Sequence, residues 1–371
     1  MNNPNFTEYD LGIPSNHTWN ITDSTKLKCL LSCERMYFFE YVLGWRSPKS
    51  IHLSYGGLIH DALHALNVGN FRKESEFFWK YLETMTALGD KKNFMLSEML
   101  EYGLTLLSEE HPYRVFWNQF PEEKAYWDAH KNPVKGLLSL VLYDRSLSPY
   151  EWYTFKNAKG EEEKAVELGG TISIGDDKTL SYRLDGLSVE GDAIIPVEFK
   201  TGRNSSYWLQ QWDTDIQITI YSIVSYLLSG ELKGLYIHGL LLNSTTIDDK
   251  RGLDFSNPFR HVEYCKAKIY RHRSQLNAFL SDLDVWWERL HKSFQDADRS
   301  KNDSEMRGFP RNYKNCASFY GRACPYVDYC HTNPNVLKRV IKEDYLPAEF
   351  DINYWNPLED VKKELNVEGK L

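Results

Sequence analysis

What this 371-residue sequence lacks narrows what it can be. No run approaches the roughly 20 consecutive apolar residues of a membrane helix, so no such span is expected. No charged-then-apolar leader resembling a signal peptide opens it, and a cytoplasmic protein is the resulting expectation. Positive charge is in deficit, 44 Lys and Arg against 52 Asp and Glu, for a net charge of −8. That balance argues against a protein that coats nucleic acid, while leaving room for an enzyme with a local basic groove. Cysteine is sparse, six in all, and in a reducing compartment clustered thiols point to a metal before a disulfide. There is no internal repeat and no low-complexity tract, so solenoid and disordered classes drop out.

What remains is the composition of a globular chain, 42% hydrophobic and 26% charged, long enough for one elaborated domain or two ordinary ones. Its 24 Tyr and 11 Trp would suit a polymer-binding groove, but such residues serve cores more often. Residues 1–20 read as an irregular lead-in. Ser24 or Thr25 can cap a helix through "KLKCLLSCERMYFFEYVLGW", and Gly56-Gly57 precede a helical "LIHDALHALNV". Residues 72–148 are mostly helical. After 150 come short strands, "AVELGGTISIG", "LSYRLDGLSVEG" and "DAIIPVEFKTG", then a helix over 207–229 and a buried strand "GLYIHGLLLN". "HVEYCKAKIY" and the residues after it supply a last strand and a long helix, and 296–305 read as a loop. The order implies an α/β fold with a mixed central sheet flanked by helices, an N-terminal helical region and a C-terminal cysteine-rich tail. The segments are 1–50, 51–150, 151–295 and 296–371.

The chemistry concentrates in "SYRLDGLSVEGDAIIPVEFKTGR". Strand alternation sends Glu198 and Lys200 to one face and Val197 and Phe199 to the other. Asp185 returns on the preceding strand. Two carboxylates brought together repel, and the usual remedy is a divalent cation. A solvent-facing hairpin acid with an incidental ion pair is the competing reading. The apolar "AIIPV", Arg203 near the strand end, and Gln217 and Tyr221 one turn apart on the next helix favour a site. Separately, Cys316, Cys324 and Cys330 occupy 15 residues of tail, which favours zinc or an iron–sulfur cluster with a fourth ligand from elsewhere.

Asp185, "VEFKTG" and Gln217-xxx-Tyr221 resemble the PD-(D/E)XK nuclease superfamily, specifically its RecB-like branch. Arg183 stands where that pattern often has a small residue. The resemblance implies a restriction-endonuclease-like core and hydrolysis of DNA with Mg²⁺ or Mn²⁺. Asp185, Glu198, Lys200, Gln217 and Tyr221 would be catalytic. The metal would be held by His60, Asp185, Glu198 and the Val197 carbonyl. His60 is nominated by "SYGGLIHDALHAL", and Glu167 is a further acid on the strand before Asp185. "KLKCLLSCERMYFFEYVLGW" is similar to the first helix of iron–sulfur RecB-like nucleases, AddB-type and CRISPR-adaptation exonucleases among them. By that analogy Cys33, with Cys316, Cys324 and Cys330, holds a [4Fe–4S] cluster, with Zn²⁺ as the alternative. Cys29 is the runner-up to Cys33, Glu34 stands where the pattern has proline, and Cys265 packs in a strand.

Branch members are often exonucleases, which implies single-stranded DNA or duplex ends as substrate, and protein partners in recombination, repair or defence. A phage-encoded chain would work in the host cytoplasm. Two clusters could meet phosphates: Arg260, Lys266, Lys268, Arg271 and Arg273, and Arg307, Arg311, Lys314 and Arg322. Two rivals stand: a catalytically silent binding or assembly module of the same fold, and a zinc protease using "HDALH". The protease motif wants Glu where Asp61 stands.

Overall fold

The computed structural model describes residues 5–46, 51–88, 96–120, 132–146, 150–157, 159–174, 179–203, 207–243, 258–316, 323–357, 359, 361, 363–365 and 367, without the side chains of 51–54, 88 and 258. The arrangement is the expected α/β one. After the short strands β1 (Ile21–Thr22), β2 (Trp45–Arg46), β3 (Thr154–Lys156) and β4 (Glu162–Lys164), strands β5 (Val166–Ser173), β6 (Thr179–Glu190) and β7 (Ala193–Arg203) form an antiparallel meander. Gly191, at φ 63°, opens the two-residue turn between β6 and β7, a backbone conformation that a side chain would resist. A crossover helix then returns the chain so that β8 (Leu235–Leu242) runs parallel to β7, and β9 (Val262–Ile269) closes that edge antiparallel. At the other edge, Lys363–Glu364 lies parallel to β5, while Ile21–Thr22 pairs with the start of β6.

Four apolar cores follow among the described residues, the smallest around Trp208, Trp212 and Ile237. Helix α3 (Ile51–Val68) and helix α7 (Pro133–Ser146), with α4 (Arg72–Leu88), α5 (Leu96–Thr105) and α6 (Pro112–Asn118) behind them, bury one face of the sheet. Ile59, Leu63, Leu137 and Val141 share that core with Val197, Phe199 and Leu240. On the other face, α8 (Ile216–Ser229) and α9 (Arg273–Ser300) cover Leu168, Leu180 and Leu184 through Ile220, Val224, Leu276 and Leu283. The third core is mainly aromatic and joins both ends of the chain. Phe6, Trp19, Phe38, Phe39 and Trp45 pack with Trp287, Phe294, Phe309, Tyr326 and Phe350. The polar lead-in is therefore ordered: short 3₁₀ turns at Phe6–Glu8 and His17–Asn20 carry its few large apolar side chains inward.

Several boundaries differ from the sequence reading, each for a local reason. Asp23, not Ser24 or Thr25, caps α1 (Ser24–Ser32) by accepting from the Lys26 N–H at 2.8 Å. The helix does not run on: Cys33 is extended (φ −165°, ψ 114°), and α2 (Glu34–Tyr37) starts afresh beyond it. Gly56 and Gly57 lie inside α3 rather than before it, and Gly56 passes close to Thr201 of β7. The helix expected over 207–229 begins only at Ile216, because Asp215 is extended and caps α8 through the N–H groups of Gln217 and Ile218. The long helix α9 runs to Ser300, into the expected loop.

The docking of the C-terminal segment is testable. Leu365 donates to the Gly169 carbonyl at 2.9 Å, and a Cβ at Gly170 would collide with the Leu365 carbonyl. Gly170→Ala is expected to peel this segment from β5 and make it cleavable near residue 365 in limited proteolysis. Undiminished protection would show that the segment is held some other way.

Candidate metal centre

Strands β6 and β7 pair only from Gly186 with Val197 to Glu190 with Ala193. Asp185 and Glu198 are the first residues beyond the last pair, where the strands part. The Phe199 N–H donates to Asp185 Oδ2 at 2.6 Å across this fork, and His60 Nδ1 lies 3.2 Å from Asp185 Oδ1. His60 reaches the fork because α3 crosses its mouth. The third wall is Glu167 on β5, opposite Asp185. One ligand atom each of His60, Glu167 and Asp185 lies within 4.8 Å of the others.

Glu167 gets there through a backbone irregularity. Its φ is 52°, in the left-handed region that non-glycine residues rarely enter. Alternation slips there: Val166 and Leu168, two apart, belong to cores on opposite faces of the sheet. The paired strand slips at the same level, since Leu184 and Leu187, three apart, share one core. Such strain costs about 1–3 kcal/mol and gathers where a structure needs a side chain aimed off the regular pleat.

On the other side of the fork, Glu198 is only 2% exposed. Its Oε1 lies 2.5 Å from Lys200 Nζ and accepts from Gln217 Nε2 at 3.1 Å. Lys200 Nζ also donates to Gln217 Oε1 at 2.9 Å and sits 5.8 Å from the centre of the Trp212 ring. Gln217 Nε2 donates to the Tyr221 hydroxyl at 2.6 Å, which in turn donates to the Arg183 carbonyl. Glu198 Oε2 is buried and has no hydrogen-bond partner among the described residues.

An orphaned, buried carboxylate oxygen is costly and calls for a proton or a cation. Burial, and Asp185 beside it, push Glu198 up to about 8, and the same two causes bring Glu167 to about 7. Burial opposes charge on His60, but Asp185 outweighs it and raises the imidazole to about 9. Burial likewise works against Asp185, yet His60 and Lys200 hold it below its ordinary value. Glu198 and Asp185 keep Lys200 protonated despite its burial. Without metal, protons thus occupy the place of a cation. Several carboxylate oxygens and one imidazole form a donor set that suits Mg²⁺ or Mn²⁺.

Compared with known families, residues 24–331 match the PD-(D/E)XK nuclease superfamily. The chain belongs to that superfamily. No curated protein matches it. Membership implies a metal-dependent nuclease, a hydrolase with DNA as substrate, and the β5–β8 sheet with α8 is the part of this nuclease that builds the fork. No helix among the described residues is long and apolar enough to cross a membrane.

Of the residues nominated from sequence, Glu198, Lys200, Gln217 and Tyr221 form one chain of contacts, and His60 with Asp185 form a second, bonded to the Phe199 N–H. Val197 is the last β7 residue paired to β6, and its side chain points into the core on the opposite face. Among the described residues, the three-residue metal cluster takes His60 without His64 and draws its carboxylates from β5 and β6. That is not the helix-borne pair a zinc protease needs. His64 instead lines a small concavity with Asp61, Glu167 and Arg183. The resemblance named Glu167 as a further acid before Asp185, but its left-handed backbone leaves no signature in the sequence.

The cysteines divide as well. Cys33 accepts from the Asn312 N–H at 3.4 Å, and Cys316 lies against the Asn312 carbonyl. The Cys324 N–H donates to the Cys316 carbonyl at 3.0 Å. Burial raises the thiols of Cys324, to about 11, and Cys330, and both sense the charge of Cys33 and Cys316. Cys29 turns away, its Sγ 3.8 Å from Glu40 Oε2, and Cys265 lies against Gly239 in the sheet. Among the basic residues, Arg271 is buried and spent on the Trp212 carbonyl and the Thr219 hydroxyl. Lys268 pairs with Glu190, and Lys266 lies over the Tyr236 ring. Arg322 lies outside the described residues.

The acids and His60 tie stability to pH. Folded Glu167 and Glu198 keep their protons above the ordinary 4.5, to about 7 and 8, and His60 above 6.5, to about 9. At these three groups the folded state binds more protons than the unfolded state, so their contribution to stability falls as pH rises across that span. Asp185 acts in the opposite sense at acid pH, and Lys26 and Lys135, lowered by burial to about 7 and about 8, do so at alkaline pH. In EDTA, Tm is therefore expected to fall more from pH 5.5 to 9 in the wild type than in Glu198→Gln. Mn²⁺ should restore it, more at pH 8.5 than at pH 5.5, and Asp185→Asn should abolish that restoration. A Tm indifferent to Mn²⁺ at every pH would show that the fork binds no such ion.

Proposed function

We propose that this nuclease is an exodeoxyribonuclease of the RecB-like kind, acting on single-stranded DNA or on duplex ends. The observation that carries a catalytic rather than a silent reading is the unbroken chain Tyr221–Gln217–Lys200–Glu198, ending in a carboxylate oxygen unpartnered among the described residues, beside the His60–Glu167–Asp185 cluster. A protein that had lost catalysis would have no reason to retain so costly an arrangement. The exonuclease assignment is supported by the resemblance of "VEFKTG" and Gln217-xxx-Tyr221 to that branch.

His60, Glu167, Asp185 and Glu198, with the Val197 carbonyl, would hold Mg²⁺ or Mn²⁺. When bound, the ion supplies a Lewis acid at the scissile phosphate and a more acidic water. Lys200, pinned between Glu198 and Gln217, donates to the attacking water or to a phosphoryl oxygen and offsets the charge that develops there. Gln217 fixes the ammonium, and Tyr221 fixes Gln217. Water adds to phosphorus as the bridging P–O bond breaks.

Cys33, Cys316, Cys324 and Cys330 would hold a [4Fe–4S] cluster, with Zn²⁺ as the alternative. What supports it is the resemblance, together with Cys33 and Cys316 both lying against Asn312 and with Arg35 and Arg311 beside Cys330. The role would be structural, closing a loop of nearly the whole chain. A cytoplasmic setting and partners in recombination, repair or defence belong to the same proposal and rest on the resemblance.

Two experiments test these readings. Degradation of end-labelled single- and double-stranded DNA with Mn²⁺ should fall by about two orders of magnitude or more in Asp185→Asn and in Lys200→Ala. Unchanged cleavage in both would sink the active-site assignment, and internal cuts without end trimming would sink the exonuclease reading. After anaerobic purification, wild type and Cys29→Ser should carry iron and acid-labile sulfide, and Cys33→Ser should carry neither. Zinc without sulfide in the wild type would overturn the cluster.

A further inference from the structure

A cavity of about 280 Å³ lies beneath the C-terminal half of α3. Its walls are Asn67 of α3, Asn70, Phe71 and Arg72 at the start of α4, Asp144 of α7, Tyr150, Trp152 and Lys164. Small-molecule sites run from roughly 300 to 1,000 Å³, so this one suits a single small ligand.

One wall is a rigid aromatic surface. The Trp152 indole lies against Gly186, the residue after Asp185, and its Nε1 donates to the Asn67 carbonyl at 3.2 Å. The Tyr150 ring is 5.1 Å from it and is fixed by its hydroxyl, 2.6 Å from His238 Nε2. The other wall holds Arg72, whose charge is met by Glu76 and Asp144. Arg72 gives Nε to Glu76 and Nη1 to the Asp144 carbonyl, while Asp144 also accepts from the Tyr113 hydroxyl at 2.6 Å. Lys164 is exposed and makes no ion pair among the described residues, so it is the surplus charge at the rim. Aromatic faces opposite a free ammonium and the exposed Asn70 amide match a base with its phosphate.

The cavity is also aligned with the fork. His60, His64 and Asn67, spaced four and three apart, lie on one stripe of α3. About 10 Å of helix separates the first from the last, the length of about three stacked nucleotides at about 3.4 Å each. His64 of that stripe lines a small concavity with Asp61, Glu167 and Arg183.

We propose that this cavity is a nucleotide subsite, taking one nucleoside monophosphate unit with its base on Trp152 and Tyr150 and its phosphate on Lys164. The unit is either a nucleotide of the substrate strand two or three positions from the cut or a released mononucleotide. The choice between these sources rests on the nuclease reading, whereas the subsite itself does not.

The first test therefore needs no cleavage. Equilibrium dialysis of labelled deoxyadenosine monophosphate in EDTA should show binding to the wild type and to the control Lys233→Glu, whose side chain is exposed and outside the cavity. Lys164→Glu and Asn70→Asp, both at exposed positions, should weaken it at least tenfold. No binding to the wild type, or equal binding or equal loss across all three variants, overturns the subsite whether or not the protein cleaves DNA. With Mn²⁺ and a single-stranded oligonucleotide, a KM raised at least fivefold in Lys164→Glu identifies a nucleotide of the strand. An unaltered KM with relief of inhibition by the mononucleotide identifies the released product.

Discussion

The fork between β6 and β7 gathers more carboxyl groups than its surroundings can keep ionised without a cation. Asp185, Glu198 and Glu167 converge there with His60 and Lys200, and one Glu198 oxygen has no hydrogen-bond partner among the described residues. Desolvating carboxylates in this way is tolerated only where compensation is built in. Much of the neighbouring architecture is that compensation. Helix α3 crosses the fork to deliver an imidazole, α8 starts late to deliver Gln217 and Tyr221, and β5 leaves the regular pleat to deliver a third acid.

The same helix that completes the fork also joins the nuclease core to the ends of the chain. Asp215 caps α8 and, through its other oxygen, pairs with Lys28 of α1 at 2.7 Å. Lys28 lies five residues before Cys33, and Cys33 faces the tail cysteines. The aromatic core formed by residues 6–45 and 287–350 thus positions α1 against α8 as well as enclosing the cysteines. A cluster there, if its loading is borne out, would brace the helix that holds Lys200's partner.

Much of this was readable in the residues. Period-two alternation placed Glu198 and Lys200 on one face, and one-turn spacing placed Gln217 and Tyr221 together, because both patterns are local geometry. The breaks were harder to see. Nothing around Cys33 marks the end of a helix, since "KLKCLLSCERMYFFEYV" keeps a helical period throughout; the break depends on contacts with residues near 312. Glu167 at φ 52° contradicts its own local preference and is held there by the paired strand and the packing on either side.

The sequence by itself determined the α/β class, the order of strands and helices, and the carboxylate, lysine and glutamine set that marks the superfamily. The first two follow from periodicities of a few residues, and the set from its resemblance to the superfamily's pattern. Only the tertiary structure decided which histidine meets Asp185, that Glu167 joins it, that Cys33 rather than Cys29 faces the tail, and that a nucleotide-sized cavity lies along α3. Those outcomes depend on where distant segments meet. The slip of β5 and β6 off the pleat is settled by desolvation and packing summed over the whole molecule, which no short window of residues contains.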